Sequence, residues 1–346
     1  MVRIEVDWMT DFLEGLLNTP SPAGDVHQAI EYVRKALAAF PLSMEINRKG
    51  ALVATWDGRD AGRPRALTAH VDTLGAMVQE IKATGRLRLT QIGNYAWNTV
   101  ESEGCTVMAA DGRQWTGTIL PIKASQHVFG QQVRTLERVG ENMEVRLDAR
   151  TTTAEETVAL GIQVGDYVAL DPRVLVTKTG FIRSRHLDDK AGVAVLAGAI
   201  KAVAEAGLAP AQRTTFHFSN YEEVGHGAAA GIPDDVCELL TVDMAAVGEG
   251  QQSDEFSVGI CVKDSGGPYD LGFRRRLVGL CETTNIPYSL DVYPYYGSDG
   301  EAAWRAGADL VVGLIGPGVD ASHGYERTHK DSLEASARLV VEYLLS

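Results

Sequence analysis

The sequence has no long hydrophobic run. Its longest stretch without a charged residue is residues 89–100, which contains Gln91, Asn94 and Asn98, whereas a membrane-spanning helix needs about 20 mostly apolar residues. Residues 1–7 mix charges of both signs and lack the apolar segment of a signal peptide. We therefore expect neither a membrane partner nor export.

Cysteine and basic residues are also scarce. The 4 cysteines show no C-x-x-C spacing, so no disulfide framework or thiol nucleophile is predicted, and we expect a reducing, cytoplasmic compartment. The 32 basic residues are outnumbered by 46 acidic ones, which gives a net charge of −14. This charge argues against nucleic acid as a partner, because phosphates need a basic surface. A surplus of carboxylates does suit divalent metal ions.

The pattern of predicted secondary structure differs between the middle of the chain and its two ends. Its 346 residues, 45% of them apolar, are enough for about two folding units. Helical periodicity over residues 8–40 and the alternation of strands and helices after residue 185 predict an α/β domain. Residues 75–177 instead show short strands separated by glycine and charged turns. We therefore predict an α/β domain formed by residues 1–74 and 178–346, with an all-β module, residues 75–177, inserted into it.

Histidine and carboxylate residues recur at the ends of predicted strands. Imidazole nitrogens and carboxylate oxygens bind zinc and similar divalent ions, and one carboxylate can bridge two ions about 3.5–4 Å apart. A two-metal hydrolase requires residues of these types. They occur in five short motifs: His70-Val71-Asp72, Asp188-Asp189, Glu222-Glu223, Asp243 and His329.

Each motif also has a structural interpretation when it is taken alone. A histidine can pair with a surface carboxylate, Glu222 and Glu223 can be a solvated charge pair, and Asp243 can cap a helix. In an extended strand, however, residues two apart share a face, so Asp72 is placed to orient the ring of His70. Neighbouring side chains diverge, so one glutamate can bind metal while the other serves as a base.

The order and spacing of these motifs resemble a known family, the cytosolic tetrahedral aminopeptidases, which include glutamyl and deblocking aminopeptidases. The resemblance implies a mixed-sheet α/β/α di-zinc catalytic domain with an inserted, barrel-like all-β dimerisation domain. Residues 123–127, Asp148 and residues 160–166 are similar to that inserted domain. The matching motifs are His70-Val71-Asp72, residues 185–192, residues 222–225, Val242-Asp243 and Thr328-His329.

The resemblance also implies a metal centre. It implies two divalent ions, zinc or else cobalt or manganese, with Asp188 as the bridge between them. One ion would be held by His70, Asp188 and Asp243. The other would be held by Asp188, Glu223 and His329.

The catalytic roles follow from the same resemblance. Glu222 matches the general acid and base that activates water for attack on an amide carbonyl, and Asp72 matches the carboxylate that supports the centre. The implied activity is removal of the N-terminal residue of short peptides. The implied assembly is a homo-oligomer in which dimers build a dodecamer.

Some positions depart from the family pattern, and two further histidines are candidates. Thr73 stands where the family has a second acid, and Lys190 stands where it has arginine. A dedicated small amide or a capped dipeptide is therefore an alternative substrate. His323 is a candidate for substrate contact that could also replace His329 as a ligand. His127, in the inserted module, resembles a position that reaches a neighbouring subunit.

Three other functions fit less well. A glycoside hydrolase needs two carboxylates that face each other about 5–9.5 Å apart, whereas Glu222 and Glu223 are neighbours that diverge. A related di-metal amidase or deacylase is compatible with the ligand set, although the inserted β module favours the aminopeptidase. An inactive scaffold protein predicts a damaged site, and no matched ligand is missing.

Overall fold

The structure is a computed structural model that describes residues 2–346. Short 3₁₀ turns lie at Trp97–Thr99, Gly140–Asn142, Glu222–Val224 and Gly227–Ala229. The α-helices of the described residues are α1 (Val6–Leu17), α2 (His27–Leu37), α3 (Gln126–Phe129), α4 (Gln132–Thr135), α5 (Ala154–Ala159), α6 (Leu187–Glu205), α7 (Leu271–Thr284), α8 (Asp299–Arg305) and α9 (Lys330–Leu345).

The strands alternate with these helices in the two ends of the chain and follow one another in its middle. They are β1 (Ser43–Ile46), β2 (Leu52–Trp56), β3 (Asp60–His70), β4 (Gly75–Ile81), β5 (Leu87–Ile92), β6 (Gly104–Met108), β7 (Gln114–Pro121), β8 (Met143–Leu147), β9 (Tyr167–Leu170), β10 (Leu175–Val176), β11 (Phe181–Ser184), β12 (Gln212–Ser219), β13 (Glu238–Val242), β14 (Ala245–Val247), β15 (Val258–Lys263), β16 (Tyr288–Val292), β17 (Val311–Asp320) and β18 (Glu326–His329).

The chain forms two compact units. One contains the residues up to Asp72 together with Arg173–Ser346, and the other is Thr73–Pro172. The boundaries predicted from the sequence differ by a few residues for a physical reason. Leu74 packs in the core of the second unit, whereas Val174 and Val176 pack against the core of the first.

The first unit is built on a 12-stranded mixed sheet. Its main path runs β1-β2-β12-β3-β13-β17-β18-β11-β10, with β14 and β15 also paired to β17 and β16 paired to β15. The central strands β12, β3, β13 and β17 are parallel to one another. Since the carboxyl ends of parallel strands meet at one edge, β3, β12 and β13 bring the residues that follow them to one place.

Helices cover both faces of this sheet. Successive residues of β13 point to opposite faces, and Leu239 packs with Ala303 of α8 whereas Leu240 packs with residues of α1, α6 and α9. The sheet is therefore buried on both sides, which confirms the predicted α/β/α architecture.

Helix α6 begins at the edge of the sheet where these strands end. It is almost entirely buried and packs against β3, β13 and β17 as well as α1 and α9. A Cβ atom at Gly192 would lie 2.5 Å from the carbonyl oxygen of Val242, so only glycine allows the helix to approach β13 this closely. This close packing brings Asp188, in the first turn of α6, next to the ends of the strands.

The second unit is a closed barrel with strand order β4-β5-β8-β7-β6-β9. Its interior is filled by buried apolar side chains, among them Val78, Leu89, Val107, Ile119 and Val145. The helices of this unit, α3 to α5, are each 6 residues long or shorter. The predicted all-β, barrel-like module is confirmed.

No helix in residues 2–346 combines the length and the apolar character needed to cross a bilayer.

A buried histidine on β12 lies beneath the strand ends. The Thr68 hydroxyl donates to Asp299 Oδ2 at 2.9 Å, so the contact of 3.1 Å between His217 Nδ1 and Thr68 Oγ1 requires the ring to donate. His217 Nε2 has no hydrogen-bond partner among the described residues. Burial lowers the pKa of His217 to about 4, with the Lys49 charge lowering it further and the Asp299 charge opposing this.

We predict that this ring makes the fold less stable in acid. The unfolded chain binds a proton at His217 below about pH 6.5, whereas the folded chain resists it down to about pH 4, so the free energy of unfolding falls as the pH drops through this window. At pH 5 the loss attributable to His217 is about 2 kcal/mol. Urea unfolding of the wild type and His217→Gln at pH 7.5 and 5, with a chelator present, measures it. Equal pH dependence of both proteins would contradict the prediction.

Candidate active site

His70 ends β3 and is held in one tautomer. Its Nδ1 lies 2.9 Å from the backbone carbonyl oxygen of Asp72, and a carbonyl only accepts, so Nδ1 carries a proton and donates it. The Asp72 carboxylate, predicted to orient this ring, is farther from it, with Oδ1 at 3.8 Å from Nδ1. The other ring nitrogen, Nε2, therefore faces the carboxylates of the site.

The Asp188 carboxylate lies between two imidazole rings. Its Oδ1 is 3.2 Å from His70 Nε2 and its Oδ2 is 3.4 Å from His323 Nε2. Burial raises the pKa of Asp188, but the hydrogen bonds from His323 and His70 outweigh it, so this pKa is well below its usual range. His70, Asp188 and Asp243 each offer one ligand atom, and these atoms lie within 4.8 Å of one another.

His323 also approaches Glu223. Its Nε2 lies 3.7 Å from Glu223 Oε2, so Asp188 belongs to two groups at once. One group joins it to His70 and Asp243, and the other joins it to His323 and Glu223. The backbone of His323 has a φ of 62°, which is the left-handed region that turns favour. This turn precedes β18.

The two adjacent glutamates follow β12 in a 3₁₀ turn. The backbone N–H groups of Glu222 and Glu223 donate to Asp72 Oδ1 and Oδ2, each at 3.2 Å. Glu222 Oε2 lies 3.7 Å from His70 Nε2. Asp72 therefore fixes the backbone from which both glutamate side chains extend.

The carboxylates of the site raise one another's pKa values when no cation separates them. Burial, reinforced by neighbouring acids, raises the pKa of Glu222 well above its usual value, that of Glu223 to about 8 and that of Asp243 to about 7. So many buried acids cannot all be ionised without compensating positive charge. Imidazole and carboxylate donors at these distances fit divalent ions such as zinc.

Asp189 caps the first turn of α6. Its Oδ1 accepts from the N–H of Gly192 at 3.1 Å, and its Oδ2 accepts from the N–H of His70 at 3.3 Å. It therefore ties the first turn of α6 to the end of β3 and leaves Asp188 for the site.

The side chains that meet at the site form one cluster, which consists of His70, Asp188, Glu222, Glu223, Asp243 and His323. The structure does not bring His329 to this cluster, which corrects the sequence-based preference for His329 over His323. His329 is the N-cap of α9, where its Nδ1 accepts from the N–H of Asp331 at 3.1 Å. Its Nε2 donates to the carbonyl oxygen of Thr179 at 2.8 Å. Because both ring nitrogens are engaged, no lone pair of His329 is available to a metal.

His127 lies exposed on α3 of the barrel unit, and its role toward a neighbouring subunit stays a prediction.

Glu326 is a residue of the site that the sequence did not reveal. It is buried at the start of β18, its Oε2 accepts from the N–H of Asp188 at 3.1 Å, and its Oε1 accepts from the N–H of His323 at 2.9 Å. One carboxylate thus holds the backbone of two cluster residues from distant parts of the chain. The only sequence signal was an acid three residues after a histidine, which is common on surfaces.

A pocket of about 530 Å³ opens beside the cluster. On one side it is lined by Asp188, Glu222, Glu223, Asp243 and His323. The remaining lining residues are Gly225, Met244, Ala246, Gln251, Tyr293, Pro294, Tyr295, Tyr296, Gly297 and Ser322.

We expect Glu326→Gln to weaken divalent metal binding about 10- to 100-fold, the range typical for residues that orient ligands. An amide keeps the side-chain volume, but its NH₂ group would face one of the two backbone N–H donors and misplace Asp188 or His323. Competition with a chromophoric chelator measures the affinity. Glu334→Gln, on α9, is the control, and equal affinities of the two variants would contradict the prediction.

Comparison with known proteins identifies the family of this chain. A model of the M42 glutamyl aminopeptidase family matches residues 50–339. The Bacillus subtilis (strain 168) protein named "Putative aminopeptidase YhfE" is 49% identical over 336 residues, which is 97% of each chain.

Solved structures share the fold. A TET aminopeptidase from a marine sediment archaeon, a Thaumarchaeota archaeon, has a TM-score of 0.88 at 18% identity and covers 98% of this chain and 96% of its own. The TET1 peptidase of Pyrococcus horikoshii has a TM-score of 0.85 at 19% identity, with 98% and 99% covered. The family match and the Bacillus relative each extend over most of the chain. This chain therefore belongs to the M42 aminopeptidase family and is a hydrolase that acts on peptides.

Proposed function

We propose that this enzyme is a di-metal aminopeptidase that removes the N-terminal residue of short peptides. The observation that carries the proposal is the Asp188 carboxylate, which lies between the imidazoles of His70 and His323. A carboxylate shared by two groups of nitrogen and oxygen donors is what a bridged pair of divalent ions requires. Membership of the M42 family supports peptides as the substrates.

The proposed ligands follow from the contacts. His70, Asp188 and Asp243 would hold one ion. Asp188, Glu223 and His323 would hold the other, with His323 in the place first predicted for His329. Zinc is the proposed metal, and the same donor set suits cobalt and manganese, so availability decides among them.

The chain supplies the proton transfers. Two bound divalent ions would supply Lewis acidity, which lowers the pKa of water and polarises an amide carbonyl. Glu222 is the proposed general base and acid, because its carboxylate lies at the cluster, with Oε2 3.7 Å from His70 Nε2. It takes a proton from the attacking water and returns it to the leaving amine. Asp72 keeps Glu222 in place through the backbone N–H.

The acids of the cluster also supply the selection for an N-terminus. A free α-amino group is positively charged at neutral pH, and the acids Glu222 and Glu223 line the pocket in which it would lie. The proposed result is cleavage of the first peptide bond only. A dedicated capped dipeptide has no such charge, so the two substrate classes can be separated by experiment.

We expect Glu222→Gln to lower kcat for aminoacyl-anilide substrates by about 10²- to 10⁴-fold, because the amide cannot exchange protons with the water or the amine. The protein is first depleted of metal and then assayed with and without added zinc, cobalt or manganese. Restored cleavage from the N-terminus in the wild type is the expected result. Better cleavage of capped than of free substrates would show a deacylase instead, and polysaccharide hydrolysis that survives metal removal would show a glycosidase.

A pair of histidine variants checks that the loss comes from the proposed centre. His323→Ala should lower the number of ions bound per chain and lower the activity, whereas His329→Ala should keep two ions and most of the activity, since the His329 ring caps α9. Metal content by mass spectrometry gives the stoichiometry. Loss of metal in His329→Ala alone would restore the original assignment.

The proposal extends to the assembly and the compartment. We propose that the chain assembles through the barrel unit into a dodecamer in the cytoplasm. The formation of a large assembly is supported by the Pyrococcus horikoshii TET1 peptidase, which has a similar fold and can assemble into a tetrahedron or a large octahedral shell. Light scattering on the purified protein is expected to give twelve chains per particle. A monomer at all concentrations would overturn this part of the proposal.

A further inference from the structure

Outside the cluster, the described residues that form the wall of the pocket carry no charged side chain. It is formed by Tyr293, Pro294, Tyr295 and Tyr296, which we call the tyrosine segment, together with Met244 and other residues. The acids that line the pocket all belong to the cluster. Within residues 2–346 no lysine or arginine lines it. A side chain that enters this space meets aromatic rings, apolar side chains and the uncharged polar groups of Gln251 and Ser322.

Hydrogen bonds fix most of the tyrosine segment. The Tyr293 ring is buried, with its hydroxyl 2.9 Å from Ser253 Oγ. Tyr296 packs on Tyr293 with 5.1 Å between ring centroids and donates its hydroxyl to the carbonyl oxygen of Met244 at 2.7 Å. The wall is therefore formed before any substrate binds, which reduces the entropy lost on binding.

Tyr295 differs from its neighbours because 97% of it is exposed. Large aromatic side chains are seldom left so open, and this one lies at the pocket. A ring in this position can cover an apolar group in the pocket and remove both surfaces from water.

The side chain of the N-terminal residue is the group that must enter this space. Under the proposed function, both the α-amino group and the scissile carbonyl lie at the cluster, and the Cα atom between them is bonded to both. The side chain on that Cα therefore starts at the cluster and extends into the adjoining pocket, toward the tyrosine segment.

We propose that this enzyme prefers a large, uncharged N-terminal residue, such as phenylalanine, leucine or methionine, and selects against glutamate. The inference rests on the proposed function. A glutamate side chain would leave water for a wall that offers, in the part of the chain that the structure describes, no lysine or arginine to pair with it. A lysine side chain would find no acid among the described residues of this wall outside the cluster. The proposed preference thus differs from the preference for an N-terminal glutamate that the name of the M42 glutamyl aminopeptidase family indicates.

The first test compares aminoacyl-anilides of phenylalanine, leucine, alanine, glutamate and lysine on the metal-loaded enzyme. We expect kcat/KM for phenylalanine and leucine to exceed that for glutamate by at least about 10-fold, a size that hydrophobic pockets commonly reach. A highest value for glutamate or lysine would overturn the inference and leave the proposed function standing. Cleavage of none of them would count against the proposed function instead.

A binding measurement tests the pocket independently of turnover. Calorimetry with free phenylalanine and free glutamate on the metal-loaded protein is expected to give at least about 10-fold tighter binding of phenylalanine. Equal or tighter binding of glutamate would overturn the inference even if no anilide is cleaved.

Two variants then test whether the tyrosine segment determines the preference for the N-terminal residue. Tyr295→Arg places a cation at the pocket, and we expect it to raise the glutamate to phenylalanine ratio of kcat/KM about 10-fold or more. Val292→Arg adds the same charge to an exposed position of β16 that does not line the pocket, and the ratio should stay within about twofold. Since both positions are exposed, both variants should fold. An unchanged ratio in Tyr295→Arg, or equal changes in both variants, would contradict the role of the tyrosine segment.

Discussion

The crowding of buried carboxylates around Asp188 is the constraint on which the site depends. Asp188 is kept ionised by two imidazoles, whereas Glu222, Glu223 and Asp243 each have a raised pKa because burial and the other acids oppose their charge. The arrangement costs free energy in the protein alone, and the proposed divalent cations would compensate for this cost. Metal binding and the stability of this edge of the sheet should therefore rise together.

A second layer of acids holds the cluster through the backbone and not through the side chains. Asp72 accepts from the N–H groups of two glutamates, Asp189 from those of His70 and Gly192, and Glu326 from those of Asp188 and His323. Backbone donors fix the position of each of these residues and leave the terminal atoms of its side chain available. The two residues of the Asp-Asp pair therefore differ in role, because Asp189 binds backbone N–H groups whereas Asp188 extends into the cluster. The two residues of the Glu-Glu pair differ in their proposed roles, with Glu222 as the base and Glu223 as a metal ligand.

Much of the fold follows from local pattern, and the misses have physical reasons. The apolar runs that end in His70, Ser219 and Val242 are recognisable as buried strands, and parallel pairing then gathers their ends at one edge. Strand β4 begins with glycine and alanine, which are depleted in strands, and its pairing with β5 and β9 in the closed barrel is not visible in the local pattern. The choice between His323 and His329 depended on which ring nitrogens the helix α9 occupies, and sequence spacing carries no information about that.

The order of the cluster residues along the chain determines when the site can form during synthesis and folding. His70 precedes the barrel unit, the acids follow it, and His323 comes after β17, in the turn before β18. Because the pairs that must meet are far apart in sequence, the centre is a late product of folding. A chain still on the ribosome lacks His323 and the carboxylate of Glu326 until nearly all of the sheet has been made. A growing polypeptide of this kind cannot attack peptides in its surroundings before its own fold is complete.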